Sequence, residues 1–137
     1  MIALDTNVLV RFLVEDDEAQ SAAAAALIVE TLSHGEGLFV SDIVVCETVW
    51  VLTSCYRVRK AKVVSILGDL LKAKQLTFAA PDSLSRALGA YAGGRGDFSD
   101  YLIREDALLA GCDRVATFDR ALLRDRDFVE PGATSPR

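Results

Sequence analysis

The segment MIALDTNVLV, residues 1–10, is the most informative about the fold. A short apolar run in it is followed by an aspartate and a polar pair. The run from Ile2 to Asp5 is typical of a short buried strand. Thr6 and Asn7 can cap a helix that continues from Val8. The chain therefore opens with a strand and a helix, and Asp5 lies where the two elements meet.

The rest of the sequence repeats this alternation of short strands and helices. We predict helices over 18–32, 42–56, 61–74, 81–91 and 98–110, and strands over 38–40, 75–79, 114–117 and 128–129. Short apolar strands between helices indicate an α/β protein with a parallel sheet covered on both faces. Without an internal repeat or a composition break, we expect one domain over residues 1–130 and a flexible tail over 131–137.

Composition excludes several classes of protein. The chain has 137 residues, 51% hydrophobic, with a net charge of −5. It has no apolar run of membrane-spanning length and no basic leader before the first strand, so we expect a cytoplasmic protein. The three cysteines favour buried reduced thiols over a disulfide framework. The single histidine, His34, excludes a His-rich metal site and argues against a Ser-His-Asp triad.

Acidic side chains follow two of the predicted strands. Asp5 follows the first strand, and Asp119 follows the strand over 114–117. Either aspartate fits a turn or a solvated loop, which is the common role of such residues. In open α/β sheets, however, sites form at the carboxyl ends of strands. Asp5 and Asp119 are therefore candidate residues of one acidic site at the carboxyl ends of the strands.

Glu47 lies in the stretch IVVCETVWVL, residues 43–52. A helix that is apolar nearly all round is typically buried. An ionised glutamate in such a helix needs a cation, a hydrogen-bond network or a metal ion. A buried Glu–Arg pair is the structural alternative to a functional role for Glu47.

Asp97 and Asp100 flank the start of the helix predicted over 98–110. Both fit plain helix capping, with Asp97 as the N-cap and Asp100 in the first turn. Asp100 also shares helical spacing with Ile103 and Ala107, so it heads the face that we expect to pack inward. We therefore rank Asp100 above Asp97 as a site residue.

Carboxylates gathered at one sheet edge would repel one another without cations. Hard oxygen ligands suit Mg²⁺ or Mn²⁺, and such ions can activate water for attack on a phosphodiester. Bound cations would also offset the acidic charge that otherwise disfavours a nucleic-acid substrate. Basic residues that could hold an RNA backbone, or simply form a solvated face, are Arg57, Arg59, Lys60, Lys62, Arg95 and Arg120.

Four motifs resemble those of the PIN-domain family, most closely the VapC toxins of bacterial toxin–antitoxin pairs. Asp5-Thr6-Asn7 looks like the opening motif, and Cys46-Glu47 lies inside an apolar helix as the family's glutamate does. The segment DFSDYLI, residues 97–103, resembles Asp-Phe-Ala-Asp-x-Leu-Ile, and TFDR, residues 117–120, resembles the final acidic motif. The resemblance extends from Ile2 to about Phe128.

The resemblance implies a PIN-like three-layer α/β/α fold with a short, mainly parallel central sheet flanked by helices. It also implies an Mg²⁺-dependent endoribonuclease, with Mn²⁺ as an alternative ion, that forms a homodimer and is inhibited by a small VapB-like antitoxin. By position, the catalytic and metal-binding residues are Asp5, Glu47, Asp100 and Asp119, and the supporting residues are Asn7, Asp97 and Thr117. This sequence departs from the family pattern at Ser99, where alanine is more usual, and in the polar pair Arg104 and Glu105.

Other functions remain open at this stage. A receiver-like signalling module would also hold Mg²⁺ in an acidic pocket, but it needs an acidic pair after the first strand, where Asp5 stands alone. A dehalogenase-type phosphatase fails similarly, because Asp5-Thr6-Asn7 lacks its second aspartate. An RNA-processing PIN nuclease outside a toxin system and a PIN-like binding module without catalysis are further alternatives.

Overall fold

The computed structural model describes residues 1–132, which fall into two compact units, Met1–Ala79 and Ala80–Arg137, the latter described as far as residue 132. The first unit contains β1 (Ile2–Ala3), α1 (Thr6–Leu13), α2 (Glu18–Ser33), β2 (Leu38–Val40), α3 (Asp42–Ser54), α4 (Lys60–Lys72) and β3 (Leu76–Phe78). The second contains α5 (Pro81–Gly93), α6 (Phe98–Leu109), β4 (Val115–Ala116), a 3₁₀ turn (Leu122–Arg124) and β5 (Phe128–Val129). The predicted alternation of strands and helices is confirmed. The prediction that the first strand is buried is wrong, because Ile2 and Ala3 of β1 are exposed. The predicted tail lies largely outside the described residues.

The first unit is built on a parallel sheet with the strand order β1-β2-β3. Ile2 pairs with Leu38, and Leu38 pairs with Leu76. Parallel neighbours require crossover connections, which here are α1 with α2 and α3 with α4. The carboxyl ends of β1 and β2 therefore meet at one sheet edge, so α1 and α3 both begin there.

Apolar side chains from these elements form the core of the first unit. Helix α1 packs against α2 and α3 and contributes Leu9 to the interior. Leu38 of β2, Leu52 of α3 and Val63 of α4 are likewise almost fully buried. This packing fixes the start of α1, and with it the position of Asp5.

The second unit is centred on the pair α5 and α6, with β4 and β5 forming a short parallel ladder. Tyr101 of α6 is almost fully buried, and its hydroxyl accepts a hydrogen bond from the Gly96 N–H at 3.0 Å. A Cβ atom at Gly94 would lie 1.9 Å from that hydroxyl, so only glycine fits there. The glycines before α6 thus let the chain close tightly over Tyr101.

Two smaller predictions have mixed outcomes. Within residues 1–132 the three cysteines form no disulfide, but Cys55 and Cys112 are exposed because they lie at or beyond the ends of α3 and α6. The prediction that these thiols are buried is therefore wrong. Within residues 1–132, no helix combines the length and the apolar character needed to cross a bilayer.

Candidate active site

Asp5 is the N-cap of α1, directly after the β1 segment. Its Oδ1 accepts a hydrogen bond from the Thr6 N–H at 2.8 Å, and the carboxylate is otherwise exposed. The preceding residue is held in the sheet, because the buried Leu4 donates its N–H to the Phe39 carbonyl oxygen at 2.9 Å. Asp5 thus combines the capping role with a fixed, accessible carboxylate.

Thr6 links the start of α1 to α3 and was missed as a site residue in the sequence. It is buried, and its hydroxyl donates to Glu47 Oε1 at 3.1 Å. The signal was its place immediately after Asp5, because a side chain at the start of α1 can reach the second turn of α3 across the shared sheet edge. Thr6 therefore brings Glu47 to the end of α1 that Asp5 caps.

Glu47 itself is exposed, so the expectation of a fully buried α3 is wrong. The buried stripe of this helix includes Val45, Val49 and Leu52. Ile43 and Trp50, one turn before and one turn after Glu47, are 71% and 62% exposed. The sequence of α3 did not reveal which face is buried, because large apolar residues also occupy part of its exposed face. The buried Glu–Arg alternative for Glu47 is likewise wrong.

Asp97 and Asp100 form the first turn of α6. Asp97 is the N-cap, and its backbone N–H donates to Asp100 Oδ2 at 2.8 Å. The prediction that Asp100 heads the inward face of α6 is wrong, because Ile103, on the same face, is 55% exposed. The buried face of α6 includes Tyr101 and Leu102, and Asp100 is half-buried at its edge.

The environment of Asp100 disfavours its charged form. Burial raises the pKa of the Asp100 carboxyl. The neighbouring charges of Asp97 and Asp119 raise this pKa further, against the lowering effect of the Asp97 N–H. The charges of Asp97 and Asp119 therefore lie close enough to Asp100 to disfavour its ionised form, and within residues 1–132 no basic group forms an ion pair with Asp100.

Asp119 follows β4 in a turn ordered by Thr117. The Asp119 N–H donates to Thr117 Oγ1 at 3.0 Å, and Asp119 Oδ1 accepts from the Ala121 N–H at 2.9 Å. Asp119 is exposed. Thr117 therefore holds the backbone of the acid rather than its carboxylate.

Asn7 lies apart from the Thr6–Glu47 contact. It is exposed on α1 and lines a cleft of about 440 Å³ with Arg11, Gln20 and Leu27. The structure thus joins Glu47 to Thr6 in the first unit and places Asp97 and Asp119 near enough to Asp100 in the second to influence its charge. Within residues 1–132, no hydrogen bond joins the Asn7 side chain to one of these acids.

The candidate acids have no cationic partners of their own. Across residues 1–132, ion pairs to lysine, arginine or the N-terminus involve none of Asp5, Glu47, Asp97, Asp100 and Asp119. In the same residues, no three His, Cys, Asp or Glu side chains gather closely enough to hold one metal ion. The chemistry of the donor set still fits a hard divalent cation, because it offers carboxylate oxygens without competing basic side chains.

Short parallel strands with accessible carboxylates after their ends are typical of α/β enzymes that act on phosphate esters through cations. The sequence pattern of the PIN domain matches residues 2–128, and the chain belongs to the PIN-domain family. This confirms the expected PIN-like α/β/α fold class. PIN domains are generally nucleases that act on RNA and use divalent metal ions, so membership supports hydrolase activity. No curated protein matches the chain significantly.

Proposed function

We propose that this protein is an Mg²⁺-dependent endoribonuclease, with Mn²⁺ as an alternative ion, whose catalytic residues are Asp5, Glu47, Asp100 and Asp119. The observation that carries the proposal is that, within residues 1–132, none of these four acids forms an ion pair with a basic group. Burial and the charges of Asp97 and Asp119 also raise the pKa of the Asp100 carboxyl. A carboxylate in that state gains most from a bound cation. Family membership supplies the expectation of RNA cleavage.

In this mechanism, Asp5 and Asp100 would supply most of the metal ligands, and Glu47 and Asp119 would complete the set directly or through water. A bound divalent ion supplies activation of water and stabilisation of charge on the transferring phosphoryl group. The reaction breaks a P–O bond in line with the attacking water. The polypeptide orients the acids in advance.

Four hydrogen bonds provide that orientation. The Thr6 hydroxyl fixes Glu47, and the Asp97 N–H fixes Asp100. The Thr6 N–H and the Ala121 N–H hold Asp5 and Asp119 in the same way. Of the supporting residues, Asp97 and Thr117 act through these turns, and we assign Asn7 a role beside Asp5 on α1.

Substitution of Asp5 by asparagine tests the proposal directly. Asparagine is also a good N-cap, so Asp5→Asn should keep the fold while removing one anionic ligand. We expect Mg²⁺-dependent cleavage of single-stranded RNA to fall by at least about 100-fold, a loss typical of metal-site disruption. Asp69→Asn, which changes an exposed aspartate of α4, should retain wild-type activity. Equal activity of the two variants would refute the proposed site.

We further propose that the protein is the toxin of a toxin–antitoxin pair, that it acts in the cytoplasm as a homodimer, and that a small VapB-like antitoxin inhibits it. Exposed apolar side chains such as Trp50 and Phe118 support the presence of partner surfaces. Expression of the wild type should stop growth, whereas Asp5→Asn should be tolerated. Normal growth with active enzyme would instead favour an RNA-processing nuclease outside a toxin system.

A further inference from the structure

A polar cleft of about 360 Å³ lies within the second unit, and the candidate catalytic acids do not line it. It is lined by Arg86, Gly89, Gly93, Tyr101, Arg104 and Arg126, among others. Arginines on several sides of one recess are typical of sites for anions that accept several hydrogen bonds. The active-site proposal gives this cleft no role.

Arg104 is held rigidly at the wall of the cleft. It is only 4% exposed, and its guanidinium carbon lies 5.3 Å from the centre of the Tyr101 ring and 5.7 Å from that of Phe128. Its Nε donates to Glu105 Oε2 at 3.2 Å, and its Nη1 makes a long contact of 3.4 Å to the Arg126 carbonyl oxygen. Within residues 1–132, these two hydrogen bonds involve Nε and Nη1 of Arg104 and leave its Nη2 group out. Arg104 therefore presents preorganised N–H groups to a ligand.

Arg86 adds a second, more mobile cation. Its Nε donates to Glu105 Oε1 at 2.8 Å, and its side chain is 54% exposed. Arg126 supplies a third guanidinium, which is exposed. Two carboxylates, those of Glu105 and Asp125, offset part of this positive charge. Asp125 Oδ2 also accepts a hydrogen bond from the Tyr101 hydroxyl at 2.7 Å. The group therefore retains a net positive charge in a protein that is acidic overall.

The glycines leave one wall of the cleft open. A Cβ atom added at Gly89 or at Gly93 would meet nothing within 4 Å. A ligand can therefore approach the α5 backbone closely on this side. The volume of the cleft falls within the range of small-molecule sites and exceeds what a single small ion needs.

We propose that this cleft binds the phosphate group of a nucleotide, either a phosphodiester in an RNA chain or the terminal monoester of a free nucleotide. Phosphate oxygens match the paired N–H groups of guanidinium, and the net positive charge favours a ligand anion. Binding at the cleft requires neither the acidic residues nor a metal ion. The inference therefore goes beyond the proposed nuclease activity.

A matched pair of variants at Gly89 isolates the charge of the cleft. Gly89→Asp and Gly89→Asn place side chains of nearly equal size at the same open position, and only the first carries a negative charge. We expect the affinity for adenosine 5′-monophosphate, measured by calorimetry in EDTA, to be at least about tenfold lower in Gly89→Asp than in Gly89→Asn. Inorganic phosphate should compete with the nucleotide, and adenosine should not bind.

Arginine variants keep the test decisive if Gly89→Asp does not fold. Arg86→Gln should weaken binding of the nucleotide about tenfold, whereas Arg124→Gln, which changes an exposed arginine of the 3₁₀ turn, should not. An RNA hexamer without terminal phosphate that shows the same dependence would identify the phosphodiester as the ligand. Failure of that hexamer, with nucleotide still bound, would identify the monoester.

The proposal is overturned if adenosine binds as well as its monophosphate, or if neither the Gly89 pair nor the arginine pair differs in affinity. Asp5→Asn separates this outcome from a failure of the nuclease proposal. That variant should bind the nucleotide like the wild type, whatever its effect on RNA cleavage.

Discussion

Two carboxylates of helix α6, Glu105 and Asp100, have opposite environments. Glu105 is 2% exposed and accepts hydrogen bonds from two guanidinium groups, at 2.8 Å from Arg86 and 3.2 Å from Arg104. Asp100 has no cationic partner within residues 1–132 and lies near two other aspartates instead. The fold thus neutralises the acid that it buries fully and leaves Asp100, the proposed metal ligand, without an ion pair within residues 1–132.

Removing the buried carboxylate of Glu105 should have the largest effect, and that effect is on the free energy of unfolding. Glu105→Ala should lower the free energy of unfolding by about 3 kcal/mol, because it leaves the buried Arg104 charge without its partner. Asp106→Ala, at the next and exposed position, should change it by less than about 0.5 kcal/mol. Urea denaturation of the two variants measures the difference. Equal stabilities would show that Glu105 is not a structural acid.

Tyr101→Phe tests the hydrogen bonds that surround the start of α6, next to Asp100. The variant removes a hydroxyl that accepts from Gly96 and donates to Asp125, at a cost of about 1–2 kcal/mol. Asp125→Asn keeps an acceptor for the hydroxyl and should cost less. Thermal denaturation orders the two variants, and the reverse order would contradict the role given to this hydroxyl.

Asp100 should reveal its unfavourable charge in the pH dependence of stability. Its pKa in the folded protein is raised above 3.8, so the folded state holds the proton more tightly than the unfolded state. In metal-free protein, the stability of the wild type relative to Asp100→Asn should therefore fall as the pH rises from below 3.8 through the raised pKa. A relative stability that rises over this window would contradict the assignment.

The smallest effect concerns Asp16, a paired but exposed aspartate of the first unit. The hydroxyl of Tyr56, which donates to Asp16 Oδ2 at 2.7 Å, lowers the pKa of this carboxyl, and Arg11 contributes in the same direction. Its stabilising effect is present above pH 3.8 and is lost as the pH falls through the lowered pKa. In Tyr56→Phe, an NMR titration should show the Asp16 pKa moving upwards. An unchanged pKa would assign the lowering to Arg11 alone.

Much of the fold was predictable because local signals agree with the tertiary structure. Pro81 opens α5, Ser41 caps α3, and the apolar run over 38–40 lies in the sheet as expected. The carboxyl ends of the strands also led directly to Asp5 and Asp119. These features depend on backbone preferences and short periodicity, which a single sequence records.

The remaining features depend on which side of each helix meets the core. In α3 and α6, exposed apolar residues such as Trp50 and Ile103 mimic a buried face. The polar pair Arg104 and Glu105 is buried, which no local pattern in the sequence indicates. Thr6 acts on Glu47 across the sheet edge, a contact between residues distant in sequence. Burial and contacts that depend on residues distant in sequence do not produce a periodic pattern in the sequence.

The most direct test of the account is a titration with Mn²⁺, followed by the loss of the free-ion EPR signal. We predict that the wild type binds the ion, that Asp100→Asn binds it at least about tenfold more weakly, and that Asp106→Asn, on the exposed side of α6, binds it like the wild type. Equal binding by all three proteins would contradict the claim that the uncompensated carboxylates form a divalent-cation site.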